Sequence, residues 1–141
     1  MGPEKIVRVV IDTNVVVSAL LFGGIPGKLL SMCQSGRLQP FLSASILEEY
    51  LQVLAYPRFK LTEQEIDFLI YRQILPYFEV VTVAGKAPVI KADPSDDKFL
   101  HYAVAAEADF LISGDRHLIQ LAVYQNVPIL SPTVILQKIN N

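Results

Sequence analysis

The sequence has little of what a disulfide-bonded, zinc-binding or membrane-spanning protein needs. Its one cysteine, Cys33, cannot form an internal disulfide, and its two histidines form no His and Cys cluster that would predict a zinc site. Its apolar runs end early, since residues 15–22 are interrupted by Ser18 and none approaches the roughly 20 residues of a membrane span. The polar start of the chain is not expected to be a secretory signal. We therefore expect a cytoplasmic protein without a membrane partner.

The chain has enough apolar material to bury one core. Its 141 residues leave little room for a second domain, and 52% of them are hydrophobic against 18% charged. That composition is far from the one typical of disordered chains. We expect a single domain over residues 1–141, with no repeat and no linker.

Short apolar, β-branched runs alternate with helical patterns along the chain. Strands are predicted at residues 6–11, 38–42, 78–83, 110–112 and 127–130. Helices are predicted at residues 15–21, 28–34, 46–55, 63–75, 94–106, 116–123 and 132–139, with a turn at 23–27 and a loop at 84–92. This alternation predicts a three-layer α/β/α fold with a central parallel sheet of about five strands.

Capping residues mark several helix starts. Ser43 or Ser45 can cap the third helix, and Thr62 followed by Glu65 is a capping-box pattern. Asp93 is the expected cap of the helix that begins at residue 94.

Two aspartates follow strands of the predicted sheet. Asp12 comes directly after the first strand, and Asp115 lies three residues after the 110–112 strand. Ligands of open parallel sheets bind beyond the carboxyl ends of the strands, so both carboxylates should reach one crevice. The alternative for either residue is that it only caps a helix or turn.

Each of two later helices carries neighbouring acids that the helical period separates. In the third helix, Glu49 lies at the margin of the apolar face and Glu48 lies opposite that face, so Glu49 is the candidate. In the helix that begins at residue 94, Asp96 shares the face of residues 99, 100 and 103. Asp97 lies toward the margin and stays an alternative. Asp96 could also serve only the helix dipole.

Four carboxylates that converge without a lysine or arginine between them repel one another strongly. A hard cation that prefers oxygen ligands makes such a cluster tolerable, which selects Mg²⁺ or Mn²⁺. Such ions catalyse phosphodiester hydrolysis by in-line displacement. The net charge of −2 does not exclude a nucleic acid, because without those four acids 12 basic residues face 10 acidic ones.

Four segments, in this order and spacing, together resemble the PIN domain family over about residues 6–136. The segments are VVIDTNV at 9–15, SASILEE at 43–49, DPSDDKFL at 93–100 with Ala103, and ADFLISGD at 108–115. Ser113 stands where the family usually has threonine, and His117 stands where an acid is frequent. The order also resembles prokaryotic PIN proteins that are the toxins of toxin–antitoxin pairs.

The resemblance implies an Mg²⁺- or Mn²⁺-dependent endoribonuclease that acts on single-stranded RNA. It also implies a homodimer and an antitoxin protein as partner. The implied metal ligands and catalytic residues are Asp12, Glu49, Asp96 and Asp115, with Asp97 as the alternative to Asp96. Asn14 and Ser113 are expected to support these acids by hydrogen bonding.

RNA binding requires cations near the acids, because phosphate contacts supply much of the affinity. The candidates are Lys28, Arg58, Lys60, Lys98 and Arg116, of which Arg116, beside Asp115, is favoured. The aromatic residues Tyr50, Tyr56 and Phe59 are expected in the core or an interface rather than as base stackers, and residues 71–78 are the candidate dimer surface.

The sequence argues against two other functions and leaves a third open. A haloacid-dehalogenase-type phosphatase needs a second aspartate two residues after the first, where this chain has Asn14. A receiver-like phosphoacceptor needs paired acids and a lysine that are not in the required places. A catalytically silent PIN scaffold that binds RNA or a protein is the remaining alternative.

Overall fold

The structure, a computed structural model, describes residues 6–81 and 94–140, with side chains described for residues 6–81 and 98–139. The predicted loop at 84–92 and the predicted cap Asp93 therefore lie outside the described residues.

The described part of the chain contains six strands and seven α-helices. The strands are β1 (Val7–Ile11), β2 (Leu38–Leu42), β3 (Glu79–Val80), β4 (Phe110–Ile112), β5 (Val123–Tyr124) and β6 (Val127–Leu130). The helices are α1 (Thr13–Phe22), α2 (Gly24–Gln34), α3 (Ala44–Leu54), α4 (Glu63–Phe68), α5 (Pro94–Ala105), α6 (Arg116–Leu121) and α7 (Pro132–Asn140). A 3₁₀ turn covers Pro57–Phe59, and α4 continues as a π-helix over Leu69–Ile74.

The sheet is mostly parallel, with strand order β3-β2-β1-β4-β6-β5. Strands β1 and β4 pair with each other at the centre of the sheet. Their mostly apolar sequences predict this place, because a central strand of a parallel sheet is buried on both faces. The three-layer α/β/α architecture is confirmed. The sheet has one strand more than the roughly five expected, because β5 pairs antiparallel with β6 at one edge.

The extra strand falls where the sequence predicts the end of a helix at residue 123. Helix α6 stops at Leu121 because Ala122 takes a positive φ of 68°. Gln125 and Asn126 follow with φ of 45° and 70°, which is the backbone of a tight hairpin turn. The chain therefore reverses into β6.

The predicted turn at 23–27 is also wrong, since Gly24 already begins α2. Gly23, with φ 73°, separates α1 from α2, and Pro26 is tolerated in the first turn, where no intrahelical N–H bond is made. Within the described residues no single helix is long and apolar enough to cross a membrane. Only the bent pair of α1 and α2, at 98° to each other, reaches that length and composition together.

Two of the predicted caps are formed. Ser43 Oγ accepts from the Ile46 N–H at 2.9 Å, which selects Ser43 over Ser45 as the cap of α3. Thr62 and Glu65 exchange both capping-box hydrogen bonds at the start of α4, at 2.7 and 3.0 Å.

The central strands and the helices around them enclose one core. Val9 and Val10 of β1 are fully buried, as are Leu100 of α5 and Ile112 of β4. Helix α5 packs on both β1 and β4, while α1 packs against α2 and α3. Since α1 follows β1 directly and α6 follows β4 closely, both helices begin at the carboxyl edge of the sheet.

Candidate active site

Asp12 lies between the central strand β1 and helix α1. It is the N-cap of α1, where Oδ1 accepts from the Val15 N–H at 3.0 Å. Its residue exposure is only 6%, far below that of an ordinary capping aspartate on the surface. Asp12 therefore caps the helix and also carries a carboxylate that is nearly removed from water.

Ser113 connects Asp12 to the second predicted aspartate. Its fully buried hydroxyl donates to Asp12 Oδ2 and accepts from the Asp115 N–H at 2.9 Å. Asp115 in turn caps α6, since its Oδ1 accepts from the His117 N–H at 2.7 Å. The structure thus brings Asp12 and Asp115 together at the ends of the adjacent strands β1 and β4.

The surroundings of Asp12 disfavour its charge. Burial raises the pKa of Asp12 above its ordinary value of 3.8, and the negative charge of Asp115 adds to the rise. Hydrogen bonds from Ser113, Val15 and Gly114 lower this pKa but do not cancel the effect of burial. A cation beside these two carboxylates would stabilise the ionised form.

Glu49 reaches the same neighbourhood from helix α3. It is half-buried and accepts the hydroxyl hydrogen of Thr13, the residue after Asp12, at Oε2. Glu48 is exposed, as the helical period predicts. Thr13 was not singled out from the sequence, although its place in the Asp-Thr-Asn motif was a usable signal.

Lys98 of helix α5 also enters the site. Its Nζ lies 2.9 Å from Glu49 Oε1, and the two side chains are 25% and 23% exposed. The expectation that no lysine or arginine lies between the acids is therefore wrong. This ion pair joins two helices, and its partners are 49 positions apart in the chain, so no pattern within either segment predicts it.

Asp96 and Asp97 belong to the first turns of α5, but their side chains lie outside the described residues. Within the described part of the chain, no three acidic, histidine or cysteine side chains form a group that could hold a metal ion. The donors that are described, Asp12 and Asp115 with Glu49 nearby, offer carboxylate oxygen, which is the chemistry that hard divalent cations prefer.

Of the two expected supporting residues, Ser113 bonds to Asp12, whereas Asn14 lies elsewhere. Asn14 is exposed and lines a groove beside α1, and among the described residues its side chain donates to none of the acids. Thr13 makes the hydrogen bond to an acid in its place. Arg116 is exposed beside Asp115, and no ion pair of its guanidinium is found within the described side chains.

Most of the chain matches a known protein family and a known relative. The sequence profile described as PIN domain matches residues 8–117 of the chain. The uncharacterized protein MJ1680 of Methanocaldococcus jannaschii is 36% identical over 124 residues, which cover 84% of this chain and 77% of that protein. The profile match contains Asp12, Glu49, Asp96 and Asp115.

Proposed function

Because the chain belongs to the PIN domain family, whose members are typically nucleases that use divalent metal ions, we propose that it is a metal-dependent endoribonuclease. The reaction is hydrolysis of phosphodiester bonds in single-stranded RNA. The observation that carries the proposal is the Ser113 hydroxyl, which joins Asp12 to the Asp115 backbone at the ends of the two central strands.

Mg²⁺ or Mn²⁺ is the proposed cofactor, held by Asp12, Glu49, Asp96 and Asp115. The bound ion would supply activation of water and stabilisation of the leaving oxygen. The buried Asp12 fits this role, because its surroundings raise its pKa and leave its charge without a compensating cation among the described residues.

The side chains of the chain itself orient these groups. The Val15 N–H and the Ser113 hydroxyl hold the two oxygens of Asp12, and Thr13 holds one oxygen of Glu49. Lys98 places a positive charge beside the acids, where a phosphodiester would approach. Lys98 therefore joins Arg116 as a proposed phosphate contact.

The first experiment is cleavage of labelled single-stranded RNA with Mn²⁺, with Mg²⁺ and with excess chelator. Glu49→Gln should abolish metal-dependent cleavage, whereas Glu48→Gln, one position away on the exposed face, should retain it. Asp12→Asn should also be inactive. Cleavage that persists in Asp12→Asn, or that survives chelation, would contradict the proposal.

The same assay decides between the acids of α5. Asp96→Asn should abolish cleavage, and Asp97→Asn should reduce it less, because the helical period places Asp96 on the face of Phe99 and Leu100, which are both buried. The opposite order of activities would assign the metal to Asp97.

We extend the proposal to the cellular role that the motif order suggests, a cytoplasmic, homodimeric toxin neutralised by an antitoxin protein. Induced expression of the wild-type chain should then arrest growth, and Asp12→Asn should not. Equal growth of the two strains at equal protein levels would contradict the toxin role and leave the nuclease proposal standing.

A catalytically silent scaffold is the second candidate, and the ion pair between Lys98 and Glu49 is the observation that favours it. A lysine neutralises a carboxylate without any metal. Calorimetric titration with Mn²⁺ separates the two, since a nuclease site binds the ion and loses it in Asp12→Asn, whereas a silent scaffold shows no site-specific binding.

A further inference from the structure

A groove of about 850 Å³ lies beside the acidic site, which we call the α1 groove. One wall is formed by α1, from Asn14 to Phe22, and the other includes Val53, Arg58 and Phe59. Asn14 follows Asp12 by two positions, and Val53 lies one helical turn, about 6 Å, beyond Glu49 on α3. The end of the groove that contains Asn14 and Val53 is therefore next to Asp12 and Glu49.

Three aromatic rings and one arginine form a cluster that we call the Arg58 cluster. Phe22, Phe59 and Arg58 line the groove, and Tyr56 lies beside it, stacked on Phe59. The rings of Tyr56 and Phe59 are nearly parallel, with 4° between their planes and 6.4 Å between centroids. Phe22 lies 6.3 Å from Phe59. The Arg58 Cζ is 4.8 Å from the centroid of Phe59 and 5.7 Å from that of Tyr56.

The Arg58 cluster is open to solvent. Phe22 is 72% exposed and Tyr56 is 46% exposed, whereas Tyr50 is fully buried. Of the two expected places for Tyr56, the core and an interface, the core is therefore excluded. Arg58 has no acidic partner among the described side chains. The guanidinium of Arg58 is therefore an unpaired cation, among the described side chains, that lies beside exposed aromatic rings.

Exposed aromatic faces combined with an uncompensated guanidinium are the chemistry that binds single-stranded nucleic acids. Bases stack on the rings, and arginine contacts the phosphate or stacks as a planar cation. The groove also offers the amide of Asn14 and the hydroxyl of Ser18 for hydrogen bonds to a base edge. A purely apolar partner surface would leave these polar groups and the Arg58 charge without partners.

We propose that the α1 groove binds an unpaired nucleotide of the RNA substrate, next to the phosphodiester held at the acids. The base stacks on the exposed aromatic rings at the groove, Phe22 in its lining and Tyr56 beside Phe59, and Arg58 contacts a phosphate. This subsite rests on the proposed function for its substrate, and it replaces the expectation that Tyr56 and Phe59 do not stack on bases.

The chain contains no tryptophan, so Tyr56→Trp introduces a single indole, whose emission reports on the Arg58 cluster. Titration with a short oligouridine RNA in excess chelator, where no cleavage occurs, should quench its emission as a base stacks on the indole. Tyr71→Trp is the matched control, since Tyr71 is 63% exposed and belongs neither to the groove lining nor to the Arg58 cluster. Its emission should not change, and inorganic polyphosphate should not quench either variant.

Arg58→Ala tests whether the guanidinium of Arg58 contacts a phosphate of the RNA. The RNA affinity of this variant should fall about tenfold, and the slope of log K against log salt should decrease by about one, as expected for one lost phosphate contact. Arg72→Ala removes an exposed arginine outside the groove and should change neither quantity.

Three results would overturn the subsite. RNA could bind, by fluorescence anisotropy, without quenching Tyr56→Trp, or it could fail to bind at all. Alternatively, the Tyr56→Trp emission could change with protein concentration in the absence of RNA, which would show that a second copy covers the groove. The subsite and the nuclease activity can fail independently. Quenching of Tyr56→Trp by RNA, together with no cleavage of that RNA in Mn²⁺, would support the subsite and contradict the proposed enzyme.

Discussion

The ammonium nitrogen of Lys98 lies 2.9 Å from Oε1 of Glu49, while the other carboxylate oxygen of Glu49 accepts from Thr13. Both oxygens of this acid are therefore engaged by the chain itself, one of them by a full positive charge. A metal ion that takes Glu49 as a ligand must share the carboxylate with Lys98 or displace the ammonium group. Lys98 thus couples the affinity for metal to the affinity for phosphate.

Lys98→Gln should separate these two effects. Removing the charge frees Glu49, and the affinity for Mn²⁺ should rise roughly three- to tenfold, the range expected for one partly screened charge at this distance. The affinity for single-stranded RNA should fall, because a phosphate contact is lost. Calorimetry measures the first and fluorescence anisotropy in chelator measures the second.

Lys28→Gln is the matched control, since Lys28 is exposed on α2 and outside the site. It should leave the Mn²⁺ affinity unchanged. Weaker Mn²⁺ binding in Lys98→Gln would contradict the competition and would mean that Lys98 is needed to orient Glu49.

Asp12→Asn should change how stability depends on pH in the metal-free protein. Because the pKa of Asp12 is raised in the folded state, its contribution to stability is fully present below the ordinary value of 3.8 and is lost as pH rises through the folded value. Asparagine does not titrate. The Tm of Asp12→Asn minus that of the wild type should therefore increase as pH rises above 3.8 toward neutrality.

Thermal unfolding in chelator at a series of pH values measures this difference. Added Mn²⁺ should reduce it at neutral pH, because the ion stabilises the ionised Asp12 of the wild type. A difference that is constant with pH would contradict the raised pKa, because it would mean that Asp12 ionises equally in the folded and unfolded states.

The Ser113 hydroxyl should matter for activity more than its size suggests. In Ser113→Ala, the half-buried Asp115 N–H loses its acceptor and the buried Asp12 loses a donor. Loss of such an orienting group typically costs roughly 10- to 100-fold in metal affinity or activity. The free energy of unfolding should fall by about 1–3 kcal/mol.

Ser113→Thr keeps the hydroxyl and should retain most of the activity, measured as kcat/KM on the same RNA. Equal loss of activity in the alanine and threonine variants would indicate that the volume at position 113 matters, and not the hydrogen bonds.

The parts of the fold that could be predicted are those set by local patterns. The short, mostly apolar segments Leu38–Leu42 and Phe110–Ile112 are strands with the predicted bounds, because each is buried along most of its length. The meeting of Asp12 and Asp115 could be predicted from strand ends alone. It follows from the rule that parallel strands present their carboxyl ends at one edge.

What could not be predicted depends on contacts between distant segments or on unusual backbone. Lys98 and Glu49 lie on helices whose relative placement is fixed only by packing on the sheet. The Arg58 cluster requires α1 to lie beside the turn after α3. Strand β5 depends on a positive φ at alanine, a residue that gives no turn signal.

Ala122 gives a stability prediction independent of the function. It takes φ 68° and ψ −44°, a region that a β-carbon disfavours, so Ala122→Gly should relieve strain. The position cannot relax by itself, because its carbonyl accepts from the Ile129 N–H at 2.8 Å and its N–H bonds back into α6. Its side chain is exposed, so little buried area is lost.

The net gain in the free energy of unfolding should be about 1 kcal/mol, which raises the Tm by about 3 °C in a domain of this size. Ala19→Gly, in the interior of α1, is the opposite control and should lose about 1 kcal/mol. Thermal and urea unfolding of both variants and of the wild type measures these two changes in the free energy of unfolding. A loss of stability in Ala122→Gly would mean that the alanine conformation at the α6–β5 junction is not the strained one seen here, and that the short β5–β6 hairpin begins differently.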